Sequence, residues 1–287
     1  MEAMTGSLVV AGTPIGNSED ASARLKAALA SASLIAAEDT RRLRRLAGEL
    51  GITLTGDVVS FFEGNEANRT AALLQRMQDG AEVLLVSDAG MPTVSDPGHR
   101  LVAACADNNI PVSVLPGPSA PLAALAVAGL PTDRFAFEGF PPRRSGPRRR
   151  YLAALRDSPY TLIFFESPRR LADMLHDVAT QMGSDRPVVV CRELTKTHEE
   201  IKRGSALELA RWAEPGVLGE VVVLVGASQQ PRKALPSEQW SGAVAELVSE
   251  GLSRRDAVDA VALDAGVSRR EVFAQIQSES RSRSDSN

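Results

Sequence analysis

Cysteine, histidine and aromatic residues are all scarce in this chain: two, three and 4% of 287 residues. The two cysteines, Cys105 and Cys191, lie far apart, so no disulfide framework can be drawn and a reduced, cytoplasmic setting is expected. The histidines His99, His176 and His198 are scattered and make no zinc pattern. There is no G-x-S-x-G elbow, no Walker loop and no G-x-G-x-x-G fingerprint. No run approaches the roughly 18 apolar residues of a membrane span. No basic stretch precedes the short apolar run near the N-terminus, so no secretory signal is read there. A net charge of -4 argues against wholesale coating of nucleic acid or membrane, though a local basic patch is compatible with it.

What is present is a series of apolar strands that end in small, stiff or acidic turns. Val83–Val86 runs into Ser87-Asp88-Ala89-Gly90, then Pro92, then Ser95-Asp96-Pro97-Gly98. In an open α/β sheet, ligands bind at the carboxyl ends of strands, where Gly and Ala let the backbone come close. The alternative is a plain strand-to-helix connection, with Ser95 or Asp96 capping a helix over His99–Asp107. Ser7–Ala11 leads likewise into Gly12-Thr13-Pro14-Ile15-Gly16-Asn17, and Ile110–Leu115 into Pro116-Gly117-Pro118-Ser119-Ala120. If these strands are parallel, their three loops converge on one edge of the sheet. Ser33–Ala37 ends in Glu38-Asp39-Thr40, and Asp57–Phe62 is a further strand.

Arg41, Arg42, Arg44 and Arg45 open the helix after Thr40, forming either a solvated face or a phosphate-contacting one. A domain boundary is expected near Leu130–Asp133, dividing an α/β domain over 1–132 from a second over 133–228. The segment Pro141–Arg150 holds Arg143, Arg144, Arg148, Arg149 and Arg150 and reads as a flexible basic loop for RNA or phosphate, or a solvated charge run. Three more strands are predicted: Tyr160–Phe165, Pro187–Cys191 and Gly219–Gly226. The first ends in Glu166-Ser167-Pro168-Arg169-Arg170 and the second in the charged loop Arg192–Glu200. After a linker over Ala227–Glu238 come three short helices, within 238–278. Ser253 with Asp256 and Ser268 with Glu271 have capping spacing. The pair resembles a helix-turn-helix, for nucleic acid or for packing. A disordered tail is expected over 279–287. Read from the residues alone, a transferase acting on RNA fits: a small-molecule site over a parallel sheet, with basic elements for a polyanion.

The loops in their order closely resemble one family. They are GTPIGN (Gly12–Asn17), AAEDTRR (Ala36–Arg42), SDAGMPTVSDPG (Ser87–Gly98), LPGPSA (Leu115–Ala120), LPTDRFAFEGFPPR (Leu130–Arg143), FESPRR (Phe165–Arg170), RELTKTHEE (Arg192–Glu200) and GEVVVLV (Gly219–Val225). The family is that of the bacterial 16S ribosomal RNA cytidine 2'-O-ribose methyltransferases, within the tetrapyrrole methylase superfamily. The likeness runs from about Ser7 to Phe273. It implies a two-domain α/β fold with a mainly parallel N-terminal sheet, S-adenosylmethionine in the cleft, a homodimer, and a C-terminal helical unit that helps hold RNA. By the same resemblance, Pro14, Gly16, Asn17, Ser87, Asp88, Ala89, Gly90, Pro92, Ser119, Ala120, Glu166, Leu194 and Thr195 are expected at the cofactor. Arg41, Arg42, Arg143, Arg148, Arg149, Arg150, Arg169, Arg254 and Arg269 are expected at the 16S rRNA, within the 30S subunit. Three departures stand out. The family often carries His-Glu-His-Asn-Glu where this chain has Phe62–Glu66, Thr in place of Met91, and His in place of Arg169.

The implied reaction moves a methyl group to a ribose 2'-hydroxyl, a poor nucleophile that calls for a base or charge partner. Glu38, Asp39, Lys196 and Glu220 are the candidates, the lysine only if its pKa is lowered. No metal is needed. Two rivals are a corrinoid or porphyrinoid methyltransferase of the same superfamily and a non-enzymatic RNA-binding assembly factor.

Overall fold

The structure, a computed structural model, describes residues 6–228, 236–249, 251–265 and 267–284. Its first half alternates strand and helix: β1 (Ser7–Ala11), α1 (Ala23–Ser31), β2 (Leu34–Ala37), α2 (Thr40–Glu49), β3 (Asp57–Ser60), α3 (Glu66–Gln78), β4 (Glu82–Val86), α4 (His99–Asp107), β5 (Val112–Leu115) and α5 (Ala120–Ala128). The strands form a parallel sheet in the order β3-β2-β4-β1-β5. Successive side chains of a strand face opposite ways. Leu8, Val10, Leu34 and Leu85 therefore pack with Leu73, Met77 and Leu101 of α3 and α4. Ile35, Ala37, Leu84 and Val86 pack with Leu25, Leu29 and Leu43 of α1 and α2. Both faces are covered, which is why these strands are almost wholly apolar.

The second half contains β6 (Phe135–Gly139), α6 (Ser145–Ala154), β7 (Thr161–Glu166), α7 (Leu171–Met182), β8 (Pro187–Arg192), β9 (Glu200–Ser205), α8 (Ala206–Ala213) and β10 (Val221–Val225). The sheet order is β6-β7-β10-β8-β9, antiparallel apart from the β6–β7 pair. Helix α5 leaves the first sheet and packs Ala124, Leu125 and Ala128 against Ile163, Val189 and Leu224 of the second. Both sheets thus belong to one compact unit, the chain up to Ala153 with Tyr160–Gly226; Ala154–Pro159 and the chain from Ala227 form the other. That smaller unit contains α9 (Trp240–Ser249), α10 (Arg254–Ala265) and α11 (Arg269–Ser284). Trp240, Val258, Val261 and Val272 form its core. Ser268 and Glu271 close a reciprocal cap: the Ser268 N–H donates to Glu271 Oε2 at 2.7 Å, and the Glu271 N–H to Ser268 Oγ at 3.3 Å.

Several expectations need correcting. The segment after Pro142 is not a loop: α6 begins at Ser145, and Pro147 sits in its first turn, where a missing N–H is harmless. Arg148 does not reach outward. It is buried, and its Nε donates to Asp177 Oδ2 of α7 at 2.7 Å, while Arg149 Nε donates to Oδ1 at 2.8 Å. The strands β6 and β9 were not predicted, being edge strands with exposed or polar faces. Neither Ser95 nor Asp96 caps α4; the buried Glu66 does, accepting the N–H of Gly98 at 3.0 Å and of Arg100 at 3.2 Å. The chain expected to be disordered from 279 continues as helix to Ser284, with Glu279, Arg281 and Arg283 as its helix-favouring residues. Most of the expected linker and residues 285–287 lie outside the described residues.

Replacing Arg148 with Ala strands the Asp177 carboxylate in the interior with one exposed partner. A loss of about 3 kcal/mol is expected in urea denaturation. Replacing Arg149, whose side chain is 56% exposed, is expected to cost less than about 1 kcal/mol.

Candidate active site

β4, β1 and β5 are parallel neighbours, so the loops after Val86, Ala11 and Leu115 emerge side by side. Thr13 and Gly90 exchange both backbone hydrogen bonds, at 2.9 and 3.0 Å. Thr13 Oγ1 donates to Ser87 O at 3.2 Å. A Cβ on Gly117 would lie 2.7 Å from Gly12 O, so only glycine lets these two loops touch. Gly90 has φ +80°, a left-handed conformation that costs glycine little.

Beside these loops opens a cavity of about 400 Å³. Ile15, Ala89, Gly90, Met91, Val94 and Asp96 line it from the first sheet. Ser119 and Ala120 line it from the head of α5, and Phe140, Phe165, Glu166, Cys191, Leu194 and Glu220 from the second sheet. Most of the wall is apolar. Its charged members, Asp96, Glu166 and Glu220, are all acidic. Phe140 is exposed and leans on Phe165, with ring centroids 5.4 Å apart.

The far rim is built from a strained turn. Glu193 and Thr195 have φ of +51° and +66°, unusual for side chains with a Cβ. Glu193 N–H donates to Glu220 O at 2.9 Å, and Glu193 Oε1 accepts the Glu220 N–H at 2.8 Å. Lys196 Nζ donates to Glu193 Oε1 and to Glu220 Oε2, both at 2.8 Å. The turn closes on the first loop through Asn17, whose N–H donates to Thr195 Oγ1 at 3.1 Å. Gly16 permits the approach, since a Cβ there would meet Lys196 Cγ at 2.5 Å.

Of the residues expected at the cofactor, Ala89, Gly90, Ser119, Ala120, Glu166 and Leu194 line the cavity. Pro14, Gly16, Asn17, Ser87, Asp88, Pro92 and Thr195 do not; several form the frame instead. Ser87 is buried and its Oγ donates to Gly90 O at 3.3 Å. Asp88 pairs with Arg42, Oδ2 lying 3.3 Å from Nη1.

Of the four candidate bases, two are removed by their partners. Burial disfavours the Lys196 charge, but the bonds to Glu193 and Glu220 outweigh it and hold its pKa above the ordinary lysine value. It is a fixed cation, not a base. The Arg41 guanidinium and backbone N–H hold the Asp39 carboxyl well below the usual carboxylate range, and Asp39 caps α2. Glu220 lines the cavity and shares Lys196. Glu38 accepts the Asp88 N–H at 3.1 Å, and burial with the nearby Asp88 charge raises its pKa.

Asp96 and Glu193 were missed as site residues. Asp96 had been read only as a possible helix cap, although its acidic turn Ser95–Gly98 is visible in the sequence. Burial, then the charges of Glu38 and Asp88, push Asp96 up to about 7 against a hydrogen bond from Ser87. Burial also pushes the Cys191 thiol up to about 11, so this cavity cysteine is no nucleophile at neutral pH. Among the described residues, no cluster of His, Cys, Asp and Glu could hold a metal ion, and no helix is long and apolar enough to cross a membrane.

The tetrapyrrole (corrin/porphyrin) methylase family matches residues 7–210. A Mycobacterium tuberculosis protein (strain CDC 1551 / Oshkosh), ribosomal RNA small subunit methyltransferase I, is 51% identical over 261 residues, covering 90% of each chain. This chain belongs to the tetrapyrrole methylases. The namesake from Escherichia coli O157:H7 is 42% identical over 236 residues, covering 81% of this chain and 82% of its own. Among solved structures, diphthine synthase superposes with a TM-score of 0.60 at 18% identity, covering 77% of this chain and 90% of its own. Cobalt precorrin-4 methyltransferase superposes at 0.59 and 18%, covering 78% and 95%. At that identity the likeness is one of fold, and the tetrapyrrole methylase fold is the one described above.

Asp96 yields a pH prediction. Its folded pKa of about 7 stands above the ordinary 3.8, so the folded chain binds the extra proton. Its contribution to stability is full below about pH 4 and is lost as the pH rises through 7. Asp96→Asn is therefore expected to gain stability over the parent chain as the pH rises from 4 to 8, read by urea denaturation at fixed pH.

Proposed function

We propose that this chain is an S-adenosylmethionine-dependent methyltransferase that methylates the ribose 2'-hydroxyl of a decoding-centre cytidine in small-subunit (16S) ribosomal RNA. One observation carries the reading: 51% identity across 90% of both chains to a ribosomal RNA small subunit methyltransferase I. The cavity suits the cofactor. Its apolar wall accepts a nucleoside, and its acidic members, with no lysine or arginine among the lining residues, favour a cation such as a sulfonium. S-adenosylmethionine, when bound, supplies an electrophilic methyl group.

The residues of the chain do the rest. The touching loops at Gly12, Gly90 and Gly117 form a rigid floor, so little reorganisation is needed on binding. The ion pairs of Lys196 hold Glu220 at the cavity. Arg41, Arg42, Arg143, Arg149, Arg150, Arg169 and Arg254 are exposed and are assigned to RNA phosphates. Arg148 leaves that set because it is buried; Arg269, paired with Asp259 as Arg41 is with Asp39, stays in it. We also propose a homodimer acting in the cytoplasm on the 30S subunit. Val112 and Val114, exposed on the free edge strand β5, support self-association.

The test is methyl transfer from labelled S-adenosylmethionine to 30S subunits, to free 16S rRNA and to a precorrin, with the modified nucleotide mapped. Labelling of one cytidine ribose in the RNA is expected. Labelling of the precorrin alone would transfer the chain to tetrapyrrole chemistry. Replacing Arg149 and Arg150 with Ala is expected to weaken RNA binding and lower its salt slope by about 1 per lost phosphate contact, leaving cofactor affinity unchanged.

A further inference from the structure

We propose that Asp96 is the general base of this site, taking the proton from the ribose 2'-hydroxyl. The proposal rests on the ribose-methylation reading above.

The first support is position. Asp96 lines the cavity beside Gly90, Met91 and Val94, among the residues assigned to the cofactor. The second is how it is delivered there. Thr93 and Ser95 have φ of +75° and +63°, and Gly98 has +133°. Left-handed backbone at two residues with a Cβ persists only where the surroundings over-determine it. Here Glu66, buried under the loop, accepts the N–H groups of Gly98 and Arg100, while the Thr93 N–H donates to Pro97 O at 3.3 Å. A turn built merely to start α4 would use the side chain of Ser95 or Asp96 as its cap. Glu66 takes that duty, which leaves the Asp96 carboxylate at the cavity.

The third support is what its neighbours lack. The Glu166 side chain is fully buried, and its Oε1 takes the Ser167 N–H and Arg170. Glu220 is tied to Lys196, and Asp39 to Arg41. Among the described residues, no lysine or arginine pairs with Asp96. The charged groups that act on it are Glu38 at the end of β2 and Asp88 after β4, both acidic. Asp88 in turn meets Arg42, and Glu38 feels Asp39 and Arg42. Burial first, and the charges of Glu38 and Asp88 after it, make this carboxyl more basic than an ordinary aspartate, and a base works best near the working pH.

The step balances as follows. The O2' proton passes to an Asp96 carboxylate oxygen as O2' bonds to the methyl carbon. The carbon–sulfur bond breaks with its electron pair on sulfur, leaving a neutral thioether. Asp96 then releases the proton to water. Lys196 is not required to lose its proton, in keeping with its raised pKa.

The test compares the parent chain, Asp96→Asn and Glu38→Gln on 30S subunits from pH 5.5 to 9 at saturating cofactor. Cofactor affinity is read by calorimetry, and the Asp96 carboxyl is titrated by carbon NMR in the ligand-free chain. Asp96→Asn is expected to lower kcat at saturating cofactor by roughly 100- to 10,000-fold, the range of general-base catalysis, beyond the weaker cofactor binding that loss of one acidic lining residue brings. The parent chain is expected to lose kcat/KM on the acid side near pH 7, in step with the NMR titration of the ligand-free chain, and kcat at lower pH because the bound sulfonium favours the carboxylate. Glu38→Gln removes one facing charge and is expected to move the kcat/KM profile and the titration to lower pH together. An Asp96→Asn chain within tenfold of the parent overturns the proposal, as does a loss explained by weaker cofactor binding. If the parent chain methylates neither RNA substrate, the ribose reading falls and this proposal with it; an active parent with an active variant overturns the proposal alone.

Discussion

Gly12 and Gly117 touch backbone to backbone, with no room for a Cβ on either. Much else depends on that contact. It brings together the loops that follow two adjacent parallel strands, while the paired hydrogen bonds of Thr13 and Gly90 bring in the third. A sheet places its strand ends about 4.8 Å apart, but the loops beyond them are free to splay unless something holds them. Small residues and backbone hydrogen bonds hold these. The result is a main-chain frame that fixes the residues lining the cavity from these loops, Ile15, Ala89, Gly90 and Ser119.

The walls follow a second logic, the sorting of charge. Acidic groups line the cavity, and cations around it are paired with carboxylates: Arg41 with Asp39, Arg42 with Asp88, Arg170 with Glu166, Lys196 with Glu193 and Glu220. The cavity therefore keeps an acidic wall suited to a positively charged ligand, while Arg143 and Arg150 are exposed and outside its lining, open to a polyanion under the proposed assignment. Two ligands of opposite charge can thus be served by one chain whose net charge is only -4.

Much of this was legible in the sequence. Strands buried on both faces are continuous apolar runs, so β1, β2, β4, β8 and β10 could be read directly, and the Gly- and Pro-marked turns after β1, β4 and β5 marked the frame of the site. Edge strands carry no such signal: β9 reads Glu-Ile-Lys-Arg-Gly-Ser and becomes a strand only by pairing with β8. The arginine-rich segment was misread because composition does not reveal burial. Asp177, nearly 30 positions away, decides that Arg148 points inward, and nothing near Arg148 announces it. Asp96 was hidden for a similar reason. An acid before Pro-Gly and a helix looks like a cap until Glu66, from another helix, is seen to hold that place.

Because Arg148 pins α6 to α7, the neighbouring basic side chains are carried on a helix that is already formed. A loop of the same composition would have to surrender its backbone freedom on meeting RNA, at about 1 to 2 kcal/mol for each residue fixed. The helix has surrendered it during folding. Under the proposed assignment, Arg149 and Arg150 would meet a phosphate backbone with only side-chain rotamers left to settle, and one buried ion pair would shift the entropy of ordering from the binding step to the folding step.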